Sequence, residues 1–512
     1  MTQPGHVFVI DGDVSKLACD AWLLPTDHGF SITKSFCHAV GMPHEGALPN
    51  APTSWNGQGC VFLKELSGGG RPDLWLGDIG RHGASFDHYA QRAAEFIERA
   101  ASKIKQHSPD LGRPPLLAMN VIGSGHGGKR SDRGGLLAAV LPAIHQAAHA
   151  QQCDVALVAY GPVMYAAAQA ARRSLEPTLD PWAALPEHLR AVGDSLASHA
   201  RAGDLVVFMG AGVSVAAGVP GWRPLLEQIG RDLGMTQAEL EAMKHLDPRD
   251  QATVLKQQHP DRFAGAVQKA VAAERPSLLH GLLASLPVKE FVTTNFDELF
   301  EGAATTANRQ LAVLPGNPVG GSDRWLLKLH GTLGKDLILT RGDYLGANSR
   351  HVALRGLVQA MLMTRHMLFV GYSLSDEDFH QLVHEVRSSL NEDHTTFGTA
   401  LMPAPHAFMQ HLWKDVSIVD MSQRNDPADA QLALARRRVA MLLDYVGSRA
   451  VSDVQFVADD SLGQLRNDEE TDLAAVISDL KRIYDTHQMQ SKDASAWSEV
   501  KRFLDLFPRS AH

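Results

Sequence analysis

The chain has 512 residues, enough for about three domains of roughly 150 residues and for cores that need no metal or disulfide staple. Its 48 Lys and Arg are outnumbered by 57 Asp and Glu, a formal net charge of −9, so the basic footprint of non-specific nucleic-acid binding is missing. An apolar fraction of 44% and a charged fraction of 21% exclude collagen, disorder and coiled coil.

The four cysteines, Cys19, Cys37, Cys60 and Cys153, form no C-x-x-C pair and read as small hydrophobes in a reducing compartment. The N-terminus lacks a basic region leading into a long apolar run, and no stretch is long and apolar enough to span a membrane. The expected location is cytoplasmic, with neither membrane nor nucleic acid as a partner.

In chain order, the first block begins with apolar strands at Val7 to Ile10 and Ala21 to Leu24, the second ending at Pro25. A strand near Leu74 to Leu76, a long amphipathic helix from Phe86 to Gln106 and a strand from Leu116 to Ile122 follow. That strand runs into Gly123-Ser124-Gly125-His126-Gly127-Gly128, and a helix from Gly135, a strand from Val155 and a helix from Met164 to Arg173 close the block. Strands alternating with helices predict an α/β layered domain over 1–175. Residues 174–186, with three prolines, read as a linker.

The second block, 187–424, opens with a helix from Leu189 to Arg201 and a strand from Asp204 to Met209. Residues 224–286 are helical in pattern, and strands recur at Glu290 to Thr294, Trp325 to Leu329 and Met367 to Val370. Residues 425–512 read as a helical region, with helices over 428–447, 471–487 and 493–506. Arg436-Arg437-Arg438 lies inside an apolar-periodic helix and reads as a solvated face.

The densest chemical signal is the strand ending at Met209 and its turn Gly210-Ala211-Gly212-Val213-Ser214, followed by Gly218-Val219-Pro220-Gly221-Trp222-Arg223. A strand, a glycine turn and a helix starting near Ser214 would offer unpaired N–H groups to a diphosphate. The spacing matches neither the dinucleotide fingerprint nor a P-loop. Three later strands end in Thr294-Asn295-Phe296-Asp297, His330-Gly331 and Gly371-Tyr372-Ser373. Ligands of open parallel sheets bind at such carboxyl ends. Taken singly, Asn295 could be a turn or cap residue and Asp297 a first-turn charge before the helix Glu298 to Ala303. Ser375-Asp376-Glu377-Asp378 reads as the charged start of a helix, and no metal site is expected.

Four motifs in this order resemble the sirtuin catalytic domain, in the diverged branch found in bacterial anti-phage NAD+ hydrolases. The likeness covers about 187–424, with Gly221-Trp222, Thr294 and Tyr372 departing from the family's Asp-Phe, Gln and Thr. The zinc module of protein deacylases is missing, since no cysteine lies between Gly331 and Gly371. The resemblance thus implies a Rossmann-type parallel-sheet domain that cleaves the nicotinamide–ribose bond of NAD+, with no zinc. It implies Asn295 and His330 as catalytic residues, the first holding a ribose hydroxyl or water and the second acting as general base. Gly210, Ala211, Gly212 and Ser214 would cradle the diphosphate, Asp297 would face the carboxamide, Gly371 and Ser373 the phosphate or ribose, and Arg223 a covering loop. Relatives in defence imply a homo-oligomer and a phage-derived trigger or partner protein.

The first block resembles a macro domain through Gly12-Asp13-Val14 and the Ile122 to Gly128 turn. That implies an ADP-ribose-like ligand near Asp13, Gly123, Ser124, Gly125 and Gly127. Pro25-Thr26-Asp27 replaces the family's Asn-rich segment, so a sensor or oligomerisation module is expected rather than de-ADP-ribosylation. The whole reads as a multidomain α/β protein with a helical C-terminal region. Two other functions stay open: a non-hydrolytic module sensing NAD+ or ADP-ribose, and an ADP-ribosyl transferase.

Overall fold

A computed structural model describes residues 4–80, 84–109, 111–125, 128–176, 178–334, 337–350, 352–390, 396–488, 495–504 and 507. The chain divides into two compact units, one of residues 1–187 with 451–512 and the other of residues 188–450. Both are mixed α/β.

The first unit holds β1 (Val7–Asp11), β2 (Ala21–Thr26), a short hairpin of β3 (Ser31–Ile32) and β4 (Gly46–Ala47), β5 (Cys60–Leu63), β6 (Asp73–Asp78), β7 (Leu116–Asn120) and β8 (Asp154–Ala159). Six of these form a sheet in the order β1-β8-β7-β2-β6-β5, parallel except for the edge strand β5. The helix Phe86–His107 exists because Tyr89, Ala93, Phe96, Ile97, Ala100 and Ile104 recur at helical spacing, and Ser85 caps its first turn. It packs with the helix Arg133–Gln151 over the sheet in one core, which also takes Phe456 and Leu462 from the chain's last segment. Arg133–Asp459 and Arg173–Asp453 ion pairs tie that segment down. Residues 174–186 are no loose tether, because Trp182 and Leu185 are buried and the Arg172 guanidinium stacks 4.3 Å from the Trp182 ring. Cys60 and Cys153 are buried, free thiols pushed up to about 12 by desolvation.

The second unit holds β9 (Leu205–Met209), β10 (Glu290–Thr293), β11 (Leu311–Leu314), β12 (Arg324–Lys328), β13 (His366–Val370), β14 (Gly398–Met402) and β15 (Val416–Asp420). They form one sheet, β11-β12-β10-β9-β13-β14-β15, parallel throughout. Three of these strands, β11, β14 and β15, are not among those the sequence pattern predicts. The chain builds outward from β9 on one side and then crosses to β13 on the other, which makes the gap between β9 and β13 the topological switch point. Helices over 222–270 form a separate apolar layer around Leu226, Ile229 and Leu255.

Two expectations fail here. The turn after β9 does not enter an α-helix at Ser214. It makes two short 3-10 turns, Ala211–Val213 and Val215–Ala217, and stops at Gly218 with φ of 91°. Pro220 follows, and the helix begins at Trp222. The arginine run is not a solvated face either. In the helix Gln431–Ala450, Arg437 and Arg438 are buried, and Arg438 pairs with Asp426 and donates to Met421 O at 2.7 Å. The helix is buried on nearly all sides, so two of three guanidinia have nowhere to emerge and a carboxylate compensates Arg438.

Candidate functional site

Strand register sets the site. Lys328, Thr293, Met209 and Val370 stand in one row across β12, β10, β9 and β13. The chain therefore leaves four neighbouring strands at one level, releasing His330, Asn295, Gly210 and Gly371 along a single edge. These loops line a cavity of about 640 Å³, within the range of small-molecule sites. Ala211, Gly212, Ser214, Arg223, Asn295, Asp297, His330, Gly371 and Ser373 all border it, while Gly210 lies buried behind them.

The glycines answer to each other. Gly210 N–H donates to Val370 O at 3.0 Å and Gly212 N–H to Gly371 O at 2.9 Å. A Cβ on Gly210 would stand 2.6 Å from Gly371 O, and one on Gly371, at φ of 63°, 2.5 Å from Val213 N. Two turns meeting across the switch point demand glycine whether or not a diphosphate follows. The turn spends its own N–H groups within the chain, Gly212 on Gly371 O, Val213 on Gly210 O and Ser214 on Ala211 O, so the helix dipole expected at Ser214 is not formed.

Behind the turn lies a buried polar chain. Ser214, with no exposed surface, donates its hydroxyl to Asp297 Oδ2 at 2.8 Å and stands 3.3 Å from His280 Nε2. Asn295 donates from Nδ2 to Gly210 O and to Ser214 Oγ, each at 3.1 Å. Asp297 Oδ1 accepts from Leu299 N–H at 3.1 Å, so both of its oxygens are already engaged within the chain. Lys328, fully buried, donates to Asp297 O and to Glu301, each at 2.7 Å, and holds the 296–297 loop from below. Burial is the leading influence on Glu301 and raises its carboxyl despite that lysine.

His330 sits between the rings of Phe296 and Tyr344, at 6.3 and 5.3 Å, with Nε2 3.3 Å from Asp376 Oδ2. Burial lowers its pKa, and Asp376 opposes the shift, so the imidazole is neutral at pH 7. Asp376 caps the helix Glu377–Ser389, as its sequence suggests, and also serves the imidazole. His330, Asp376 and Asp378 bring ligand-type atoms within 4.8 Å of one another, a donor set a divalent cation accepts. Burial and then Asp376 push the Asp378 carboxyl up to about 6. Ser373 is exposed and bonds Ser375 at 2.6 Å, and Arg223 is exposed in the first turn of the helix Trp222–Leu233.

Sequence reasoning missed His280, Lys328 and the second role of Asp376. Lys328 had a signal, a charge directly after the apolar run Trp325 to Leu327 and two residues before His330. His280 had a fainter one, the fourth residue of a Ser277 capping box before an apolar run.

In the first unit, Asp13 follows β1 and Gly123 to Gly125 follow β7, on one edge with β8 between them. Asp13 is engaged locally, accepting from Ser15 N–H at 2.9 Å and Ser15 Oγ at 2.8 Å. Ser124 Oγ donates to Val121 O at 2.6 Å. Gly127 lies outside the described residues.

The second unit thus has the class of site its register builds, a small-molecule cavity at the switch point of a parallel sheet. Residues 289–420 match the model of the SIR2-like domain family, and the chain carries a domain of that kind. It is similar to defense-associated sirtuin 2 of Bacillus subtilis, 24% identical over 215 residues, covering 40% of this chain and 21% of that protein. It is also similar to the NAD(+) hydrolase ThsA of Enterococcus faecium, 26% identical over 209 residues, covering 37% of this chain and 41% of the relative. The similarity therefore spans less than half the length of either relative. A solved structure of Sir2 with an inhibitor, 2'-O-acetyl-ADP-ribose and a deacetylated peptide matches at 15% identity and a TM-score of 0.26, over 46% of this chain and 91% of that one.

Proposed function

We propose that the second unit binds NAD+ in this cavity and cleaves its nicotinamide–ribose bond to give nicotinamide and ADP-ribose. The observation that carries the reading is the convergence of Asn295, His330 and the glycine turn on one cavity at the switch point. The similarity to a defence-associated sirtuin and to proteins named NAD(+) hydrolases supports it.

Bond cleavage passes through an oxocarbenium-like transition state, as in glycoside hydrolysis. Both Nδ2 hydrogens of Asn295 are committed to protein acceptors, so Oδ1 is the atom left to accept from a ribose hydroxyl or an attacking water. His330, held neutral by burial, takes the proton from that hydroxyl or water. The glycine turn and Ser373 hold the phosphates and ribose, with Arg223 at the mouth. No step requires zinc.

On this reading the protein depletes NAD+ when a phage-derived trigger or partner activates it, and works as a homo-oligomer in the cytoplasm. The region 1–175 acts as a macro-like module for an ADP-ribose-like ligand at its own sheet edge, 187–424 as the catalytic domain, and 425–512 as a helical C-terminal region whose residues through the helix Gln431–Ala450 belong to the second unit and whose remainder belongs to the first. The test is nicotinamide release from NAD+ by purified protein over a range of concentrations, beside Asn295→Ala and His330→Ala. Release lost in both variants is expected. Unchanged release would sink the site assignment. NAD+ bound but never cleaved in any activated state would mark a sensing module, and labelled macromolecule instead of free ADP-ribose a transferase.

A further inference from the structure

The polar chain behind the glycine turn has a direction, and it can be read from its fixed ends. At one end His280 Nδ1 faces the backbone N–H of Ser277 at 3.1 Å, a donor that cannot reverse, and lies 2.8 Å from Ser277 Oγ, whose hydroxyl is shared with Val213 O at 2.9 Å, so Nδ1 accepts. At the other end Asp297 is a carboxylate and accepts only, so the Ser214 proton goes to Oδ2. Nε2 of His280 must then carry the ring proton and donate to Ser214 Oγ at 3.3 Å. The buried imidazole is held neutral, its pKa lowered to about 4 chiefly by desolvation, which agrees with a single ring proton.

Ser214 Oγ now has its proton committed and both remaining positions defined as acceptors, one toward His280 and one toward Asn295. The Asn295 amide faces two acceptors, this hydroxyl oxygen and Gly210 O. Turning the amide over would set Oδ1 against both, so Oδ1 is left to the cavity. We propose that His280 is a positioning residue for the cleavage reaction: its Nε2–H acts together with Asp297 and Gly210 O to keep Ser214 Oγ an acceptor toward Asn295 Nδ2, which holds Oδ1 toward the substrate. His280 has 1% of its surface exposed and touches no substrate. This inference rests on the reading of the cavity as an NAD+-cleaving site.

Two substitutions separate the donor from the helix cap that His280 also completes. His280→Gln keeps an N–H donor at the ε position and loses the acceptor toward Ser277. His280→Asn keeps that acceptor and cannot reach Ser214. With orientation of one catalytic group at stake, the Asn variant is expected to lose about 10- to 100-fold in kcat with KM nearly unchanged, while the Gln variant stays near wild type. Ser214→Ala removes the relay itself and should match His280→Asn, which keeps the test alive if the Asn variant fails to fold. Equal kcat in the Asn and Gln variants, or a loss carried by KM, overturns the proposal.

A readout free of turnover separates this failure from failure of the enzymatic reading. In protein grown with isotope-labelled asparagine, the two Nδ2 hydrogens of Asn295 should give distinct, slowly exchanging NMR signals in wild type and His280→Gln. They should average and exchange quickly in His280→Asn and Ser214→Ala. Unchanged signals in those two variants overturn the relay even if the wild type cleaves no NAD+, and an inactive wild type with the expected signals sinks only the reaction.

Discussion

Each unit places a glycine turn at the carboxyl edge of a largely parallel sheet, and the two turns differ in what surrounds them. In the second unit, four strands end in register and deliver an amide, an imidazole and a backbone turn to one cavity. In the first, the turn after β7 meets the ring of Tyr89, and Asp13 two residues beyond β1 is taken up by Ser15, with His38 Nε2 at 3.4 Å. A glycine turn after a strand is therefore no site by itself. The mark of a site is a row of neighbouring strands ending together with polar residues whose remaining donors and acceptors point outward.

The largest effect that would sharpen this contrast is an alanine at each turn. Gly371 and Gly123 both have positive φ, 63° and 87°, where a Cβ is strained by about 1–2 kcal/mol. At Gly371 the new methyl would also meet backbone, Val213 N at 2.5 Å, which cannot yield without parting the two turns. At Gly123 it would meet the Tyr89 ring at 2.6 Å, a side chain that can shift. Overpacking adds about 1–3 kcal/mol, so Gly371→Ala should cost roughly 3–5 kcal/mol and Gly123→Ala roughly 2–3. Urea unfolding with separate probes for the two units measures both. A Gly123→Ala cost equal to or above that of Gly371→Ala would break the comparison.

Much of the second unit was legible in its sequence, and the reason is chemical. The strands β9, β10, β12 and β13 are apolar runs that end abruptly in Gly, Asn or His, so both their existence and their functional ends are marked. Asn295 and His330 were found because they follow such runs. The partners that orient them were not, because His280 sits 15 residues before Asn295 in a helix that looks merely apolar, and only the fold brings it behind the turn. The local conformation after Met209 was also misread, since helix propensity through Val213 to Ala217 is overruled by Gly218 and Pro220. In the first unit, Asp13 and the Gly123 turn were equally visible as motifs. Nothing in a sequence tells whether a carboxylate will face a ligand or its own turn.

The units should also part along the pH axis. His280 and His366 in the second unit are both lowered to about 4, first by burial, with His199 stacked on His366 as its next cause. Their native forms refuse protons that the unfolded chain accepts below about 6.5, so stability is whole above that pH and falls as pH drops toward 4, with His280 alone accounting for about 3 kcal/mol at most. In the first unit the Cys60 and Cys153 thiols, raised to about 12 by burial, keep protons that the unfolded chain gives up above 9. That contribution is whole below pH 9 and falls as pH rises toward 12. Hydrogen exchange at pH 5 should open the second unit first, and at pH 10 the first unit. The reverse order, or joint opening at both ends, would contradict the assignment.

The smallest effect bears on His330, a site residue whose charge is tuned by a neighbour. Burial lowers the His330 pKa and the Asp376 carboxylate, 3.3 Å from Nε2, raises it. Asp376→Asn removes the charge yet leaves a side chain that still accepts from Asp378 N–H, as Asp376 does at 3.0 Å, so the cap on the following helix survives. With only the lowering influence left, the acid limb of kcat/KM for NAD+ cleavage should move to lower pH. Asp378→Asn serves as the contrast, because Asp378 exerts no comparable pull on His330 and its loss should leave the limb in place. A limb that stays put in Asp376→Asn assigns the titration to some group other than His330, and with it the role of general base. Loss of the limb together with activity would mean that the Asp376 carboxylate, not the imidazole, is the proton acceptor.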